Sequence, residues 1–537
     1  MRKLPFAAAL LAGTMFAVPA SADGTVTRIA TVPLKAEVTG LRVTPQGDLF
    51  MNVQHPSNKN PAPFGRATVG AIVGVNFNAL PKTVKPVAVP STDAAKQAVQ
   101  TALGEYQVLA SAGDLKDLIP AGLGIIVATD GKTKILASNN PDFNALVPTN
   151  AAGTEGFLFT HWENRPGGMS RIRVAKGADG KWAVQSDGTR MLDFSGVNGT
   201  WVNCNGSLSP WGTPLTSEEL YFDDTADWNN ADYEEHDGQV ALEKYLGRYP
   251  NPYDYGFIGE ITDPTGSATP VKHYTLGRFS HENAVVMPDN RTVYMGDDGT
   301  DTVFFKFVAD RAGDLSAGTL YAAKVTQDAG RDPAKTGFGI AWIELAHGTN
   351  GEIRSWIRQY DGIGTDRYRK GSTNYISDAE IAAWARGEAK DDRVAFLETR
   401  KAAAAKGATA EFRKMEGVTI NYEGARTGTV PYLYLAMTEI GKGMSDDKGD
   451  IRLDENKCGA VYEMKLDRNF NVARMVPAIV GGPYDKASRP NACSVDAIAS
   501  PDNIQVLRDG RVLVGEDTGH HENNMLWLWT PENRPET

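Results

Sequence analysis

An all-β, six-bladed β-propeller with helical insertions is the fold class this sequence predicts, and three observations predict it. Apolar runs are short and alternate with polar residues, the period of half-buried strands. Turn formers are abundant, with 55 Gly and 29 Pro among 537 residues. One unit recurs six times along the chain: a strand, a turn, a second strand ending in polar or acidic residues, a loop, and a third alternating strand.

The clearest copy opens at His281-Glu282-Asn283, turns at Pro288-Asp289-Asn290, runs from Thr292 to Met295 into Asp297-Asp298, and ends on Thr302 to Val308. Asp502-Asn503 starts a copy that matches it in step, through the turn Asp509-Gly510 to Glu516-Asp517 and Met525 to Trp529. On that template Gly40 to Thr44, Asp48 to Val53 and Gln54-His55 form the first unit, completed by Ala71 to Val75. The second takes Asp142 to Val147, Phe157 to Thr160, His161-Trp162-Glu163 and Met169 to Val174. Cys204 to Ser209, Leu215-Thr216, Glu218-Glu219 and Gly256 to Ile261 follow with looser spacing. Glu416 to Ile420, Tyr432 to Met437, Thr438-Glu439 and Ala460 to Leu466 complete the set. Two β-sandwich domains are the competing architecture, but irregular intervals suit a propeller with long loops better.

Two insertions interrupt the strands. Residues 91–109 read as helical, and 377–414 more strongly so, opening on the capping box Ser377-x-x-Glu380 and continuing through Ala-rich sequence. The second is either a surface decoration or a cover over the active face.

At the N-terminus Arg2-Lys3, an apolar run to Val18 and Ala20-Ser21-Ala22 predict a signal peptide over residues 1–22, removed on export. Residues 23–537 are expected to form one propeller domain in the periplasm or outside the cell. No other segment approaches the roughly 20 apolar residues a bilayer span needs. The net charge of −11 disfavours nucleic acid and anionic membranes and fits a collector of divalent cations. Of three cysteines, Cys458 and Cys493 are candidates for one bridge, which leaves Cys204 over.

The repeat makes a geometric prediction. The residues that precede the first strands are Thr39, Asp142, Cys204, Glu282, Glu416 and Asp502, and five of these six can ligate a metal. Second strands end at His55, Glu163, Glu218-Glu219, Asp297-Asp298, Glu439 and Glu516-Asp517, and antiparallel pairing puts those ends beside the first-strand starts. Carboxylates gathered without cations repel and raise each other's pKa values, so bound metal is the expected relief. Oxygen ligands suit calcium, whereas the Cys204 thiolate suits a softer ion such as iron or zinc. Against this, acids beside turns often cap backbone groups, and a lone buried Cys is often an inert small hydrophobe. Asp446, Asp447, Asp450, Asp454 and Glu455 read as a solvated acidic loop, and His520-His521-Glu522 as a surface turn.

The segment Asn203-Cys204-Asn205-Gly206, with Ser209-Pro210-Trp211-Gly212-Thr213-Pro214-Leu215-Thr216-Ser217-Glu218-Glu219, resembles the signature of the PhoX-type alkaline phosphatases. Gly277-Arg278-Phe279-Ser280-His281-Glu282 and Tyr294-Met295-Gly296-Asp297-Asp298 are similar to the family as well. The resemblance implies a six-bladed propeller whose iron and calcium ions bind and cleave small-molecule phosphate esters. By motif, Cys204 would bridge iron, Glu282 and Glu416 would bind iron or calcium, and Glu218 and Glu219 calcium. With the repeat positions, the expected metal ligands are Cys204, Glu282, Glu416, Asp142, Asp502, Glu218, Glu219, Asp297 and Glu516. Arg278, Lys414 and Arg413 are the candidate catalytic cations that would grip the phosphate. The chain departs from the family in Lys3, where a twin-arginine signal is common, and in Ser217, where relatives often carry Cys.

The sequence lacks a Gly-x-Ser-x-Gly elbow and a His-Glu-x-x-His helix. The remaining rivals are a calcium-dependent lactonase or esterase propeller and a non-catalytic calcium-binding propeller, since fold alone does not assign function. A monomer is expected.

Overall fold

The computed structural model describes residues 24–532, and the expected signal segment lies outside the described residues. The chain is mostly β, with its strands paired in antiparallel sheets. The first four-stranded sheet takes Glu37–Val43, Leu49–Gln54, Thr68–Val73 and Glu105–Ser111. The second takes Pro141–Pro148, Glu155–Trp162, Gly168–Lys176 and Trp182–Met191, and the third Gly206–Leu208, Pro214–Thr216, Ile258–Thr262 and Thr269–His273. His281–Val286, Thr292–Asp297, Phe305–Arg311 and Asp314–Gln327 form the fourth group; Met415–Ile420, Tyr432–Met437, Ala460–Lys465 and Arg474–Val480 form the fifth. Phe338–Thr349 joins these two groups edge to edge through Phe338 opposite Met475.

The sixth sheet combines both ends of the described chain. Pro501–Val506, Val512–Glu516 and Met525–Pro531 are completed by Gly24–Thr31, with Gly24 opposite Pro531 and Thr31 opposite Met525. Within each sheet the turn residues match their backbone: Gly47 (φ 92°) and Gly510 (φ 84°) occupy the left-handed region that side chains disfavour.

Strand alternation supplies two apolar faces per sheet, and each face meets a neighbour. In the fourth group Ala284, Val286, Val293 and Met295 pack with Leu215 and Ile258 of the third sheet. Val285, Met287 and Tyr294, on the other face, pack with Val418 and Leu433 of the fifth. Separate cores join fifth to sixth, first to second and second to third in the same way. Val38, Leu49 and Met51 of the first sheet pack against Leu513, Leu526 and Leu528 of the sixth, so the adjacency returns to its start. The six inner strands touch in that same cyclic order.

The insertions differ from expectation in one case. Of residues 91–109 only Asp93–Lys96 is helical, capped by Thr92, and Glu105–Ser111 is the outer strand of the first sheet. The apolar face of that strand is needed to cover Val69 and Ala71, so tertiary pairing overrides its helical pattern. The stretch from 377 does hold helices, Asp378–Ala385, Arg393–Leu397 and Thr399–Ala405, and the Ser377–Glu380 capping box is formed. Their apolar faces join the core between third sheet and fourth group through Ile381, Trp384, Phe396 and Ala402. Cys458 and Cys493 are disulfide-bonded, and Cys204 is free and buried.

Candidate metal centre

Five of the six inner strands carry the same irregularity. His281 pairs with Asp297 and Ala284 with Met295, so three steps on the inner strand match two on its partner. The strands opened by Met415, Pro501 and Pro141 repeat this bulge, and in Glu37–Val43 it follows Thr39. A bulge leaves a residue unpaired and re-aims side chains. The residue that follows the opening pair, two positions ahead of the resumed ladder, is Glu282, Glu416, Asp502 and Asp142 in turn. In the third sheet pairing begins at Gly206 opposite Thr216, which gives Cys204 that same offset. In the first sheet the equivalent residue is Gly40, one place beyond the expected Thr39. A Cβ on Gly40 would meet the Asp142 carbonyl oxygen at 2.4 Å, and its φ is 64°. Thr39 instead donates its hydroxyl to the Pro141 carbonyl at 2.8 Å.

These positions converge. Asp142, Glu163 and Cys204 place ligand atoms within 4.8 Å of one another, as do Cys204, Glu219 and Glu282; Glu219, Asp298 and Glu416; and Glu282, Glu416 and Asp502. Shared members link the four groups into one continuous array. A fifth group, Glu37, His55 and Asp517, lies along the same cleft of about 240 Å³. His55 Nε2 is 2.7 Å from Glu37 Oε2.

The two acids of each pair, at or just beyond the end of a second strand, point to opposite sides. Glu219, Asp298 and Asp517 face the cleft, whereas Glu218, Asp297 and Glu516 serve the sheets. Glu218 accepts from Lys272 Nζ at 2.8 Å, Thr200 Oγ1 at 2.9 Å and the Gly256 amide at 3.0 Å. Asp297 is clamped by Arg400, Nε to Oδ2 at 3.0 Å and Nη2 to Oδ1 at 2.5 Å. Glu516 accepts from the Ala499 and Met525 amides, Trp527 Nε1 and His521 Nδ1, between 2.7 and 3.0 Å. Thus Glu218, Asp297 and Glu516, all expected ligands, have their oxygens spent elsewhere. His521 is correspondingly buried, not on a surface turn, because it is the partner of Glu516.

Of the three candidate cations only Lys414 reaches the cleft. Its Nζ lies 2.8 Å from Glu416 Oε1 and 3.2 Å from Asp298 Oδ1, and its left-handed backbone (φ 47°) turns it away from the direction of Arg413. Arg413 pairs with Glu439 at 2.6 Å. Arg278 is buried over the Tyr253 ring and donates to the Pro252, Tyr255 and Leu397 carbonyls. The cleft also holds residues not expected to be site members: Glu37, two places before Thr39 on the same strand face, and Tyr221, which donates to Asp298 Oδ2 at 2.6 Å. Tyr221 lies on an irregular loop and has no repeat position to reveal it.

The electrostatics are those of a site short of positive charge. Burial, then neighbouring carboxylates, push Glu37, Glu219, Glu282 and Asp502 well above the carboxylate range. Burial raises Asp142 to about 7 and Glu163 to about 8. Burial and the Asp142 charge, with Sγ 3.0 Å from Oδ2, push the Cys204 thiol up. Asp298 is the exception: burial opposes its charge, yet Lys414, Tyr221 and the Gly299 amide together hold it below its ordinary value. Glu282 is fully buried, and neither of its oxygens has a hydrogen-bond partner. An unpartnered buried carboxylate is costly, and a cation among these oxygens and the thiol meets that need. The donor set therefore fits metal ions. His161 and His281 contribute none of the ligand groups; burial lowers them to about 4 and about 3, so both are neutral scaffold residues.

The family described as Alkaline phosphatase PhoX matches residues 159–535. The structure of Pseudomonas fluorescens PhoX in complex with vanadate, a transition state analogue, superposes with a TM-score of 0.54 at 19% identity, covering 95% of this chain and 86% of that one. That likeness is one of fold. A Lactobacillus plantarum protein (TM-score 0.33, 7% identity, 89% and 76% covered) and YCF48 from Cyanidioschyzon merolae (0.28, 8%, 95% and 100%) are more distant. No curated protein matches the chain significantly.

Proposed function

The chain belongs to the PhoX alkaline phosphatase family, a family of phosphoesterases, and on that premise we propose an exported phosphatase that hydrolyses phosphate esters at a calcium and iron cluster in a six-bladed β-propeller. The cyclic adjacency of six sheets, closed by Gly24–Thr31 on the last, supports the propeller. The apolar run before Ala22 and the Cys458–Cys493 bridge support an oxidising compartment outside the cytoplasm. No helix among the described residues is long and apolar enough to cross a membrane.

The observation that carries the metal assignment is Glu282, whose two buried oxygens lack partners at the junction of two ligand groups. Cys204, Glu282 and Glu416 would hold iron, the thiolate selecting a softer ion, while Asp142, Glu163, Glu219, Asp298 and Asp502 would hold calcium through oxygen. Bound there, the ions supply the positive charge that draws in a phosphate group and offsets the charge growing on its oxygens. Lys414 adds a fixed cation at the cleft wall, positioned by Asp298 and Glu416. Tyr221, Thr438 and Gln54 orient Asp298, Glu416 and Glu163 by hydrogen bonds of 2.6, 2.8 and 2.8 Å. Arg400, from the helical insertion, ties down Asp297 and the Asp298 carbonyl, so the insertion braces the cleft edge.

The test is metal analysis of protein purified without chelator, paired with assays on p-nitrophenyl phosphate and on lactones. Calcium with iron and turnover of the phosphate ester are expected. Lactone hydrolysis without phosphatase activity, or a protein free of both metals yet fully active, would overturn the proposal. Vanadate, found bound to the Pseudomonas fluorescens protein, is expected to inhibit competitively.

A further inference from the structure

The inner strands that open at the metal array end at a second cavity, of about 450 Å³, on the far side of the ring of sheets. Leu41, Phe143, Asn205, Asn283 and Asn503, each one residue past a ligand position or its equivalent, line its inner end. Thr44, Pro148, Ser209, Asn421 and Arg508, at or beyond the far ends of their strands, line it as well. Among the described residues none lines both this cavity and the metal cleft.

Two donors in this space are unspent. Asn283 uses both amide atoms on the Val418 backbone, and Asn503 accepts from the Gly40 amide while donating to Asp502. Asn205 differs: its Oδ1 accepts from the Gly206 amide at 2.7 Å, and its Nδ2, on a buried residue, has no acceptor among the described residues. Arg42 follows Gly40 by two residues, as Gly206 follows Cys204, so it stands one step further along the channel than Asn205. Its guanidinium has neither a hydrogen bond nor an ion pair among the described residues, and burial, unopposed by any carboxylate, lowers its pKa. Arg42 nevertheless keeps part of its surface exposed. A group both desolvated and accessible lies in a recess, and this cavity is the recess it lines.

The walls suit an organic body. Phe143, Val285, Val418, Ile420 and Ile504 are apolar, and the volume lies within the usual range of pockets that take small molecules. Glu423, the sole carboxylate lining the cavity among the described residues, is already paired with Arg426 at 2.5 Å. Arg508 adds an exposed positive charge at the outer end. The cavity therefore carries positive charge without an internal counter-charge, the reverse of the acidic cleft.

We propose that this cavity binds a small organic anion, its charged head on the Arg42 guanidinium and the Asn205 amide and its apolar body along Phe143, Val418 and Ile504. Five guanidinium donors in a planar fork suit an oxyanion head. The site needs neither metal nor turnover, so it stands or falls apart from the phosphatase reading.

Calorimetry with naphthalenesulfonate tests it, because a sulfonate is a poor metal ligand and leaves the cleft to other anions. The parental protein is expected to bind one molecule per chain. Arg42→Gln should weaken binding at least about tenfold, the scale of one charge-assisted hydrogen bond, and no existing bond is broken by that change. Uncharged naphthalenesulfonamide should bind the parent about tenfold more weakly for the same reason. Thr419→Phe, which fills the cavity from a half-buried strand position, should also abolish binding. Lys414→Gln, in the metal cleft, should leave it unchanged. Thermal melts confirm that each variant is folded. A parental protein that does not bind naphthalenesulfonate, an Arg42→Gln variant that binds it as the parent does, or loss of binding in Lys414→Gln would overturn the site.

Discussion

Glu218 and Glu219 are chain neighbours with opposite duties: Glu218 meets Lys272 Nζ at 2.8 Å inside the third sheet, while Glu219 stands within 4.8 Å of Cys204 and Glu282 in the cleft. Glu218→Gln leaves Lys272 buried without its counter-charge and is expected to cost about 3 kcal/mol of stability. Glu219→Gln removes a charge from a crowded array, so the metal-free fold should be no less stable while bound metal and turnover fall. Urea unfolding and metal analysis of the two variants, side by side, separate these effects. A large stability loss in Glu219→Gln alone would contradict this division of roles.

Cys204→Ala deletes the one thiol among carboxylates, two residues ahead of the first ladder pair of its sheet. The fold should lose about 1 to 3 kcal/mol, as for an ordinary substitution. Phosphatase activity and iron content should fall far more. A variant with parental turnover and parental iron would show Cys204 to be packing alone.

Lys414→Gln is expected to lower kcat about 100-fold with a folded protein, the scale for losing one charge-stabilising group. Arg413→Gln should leave kcat nearly unchanged, because its partner Glu439 lies off the cleft. Arg278→Gln should instead lower the melting temperature, since the buried guanidinium holds three backbone carbonyls. Steady-state kinetics and thermal melts of the three variants distinguish the roles.

Metal removal should change how stability depends on pH. Asp142 and Glu163 are raised to about 7 and about 8 from ordinary values of 3.8 and 4.5. A carboxyl raised in the folded state contributes stability that is complete below its unfolded pKa and is lost as pH rises through its folded pKa. The metal-depleted chain should therefore melt at progressively lower temperature from about pH 5 to about pH 8. Restored calcium favours the ionised carboxylates and should flatten or reverse that slope. An unchanged slope on adding calcium would argue against carboxylate ligation.

The sequence by itself determined the repeat, because strand alternation and turn chemistry are local and leave a periodic record. It therefore located Asp142, Cys204, Glu282, Glu416 and Asp502, which share one place in five of the six units, and it paired Cys458 with Cys493 as candidates for a bridge. The tertiary structure alone decided what depends on register. A bulge of one residue moved the first-sheet equivalent from Thr39 to Gly40. Opposite side-chain directions sent Asp298 and Asp517 to the cleft, and Asp297 and Glu516 to Arg400 and His521. Glu105–Ser111 became a strand because the first sheet lacked an outer edge, which no local propensity records. Lys414 was separated from Arg413 and Arg278 by backbone direction and burial, and Tyr221 was brought in by a loop without period. In each case the deciding energy came from partners distant along the chain, to which a local pattern is blind.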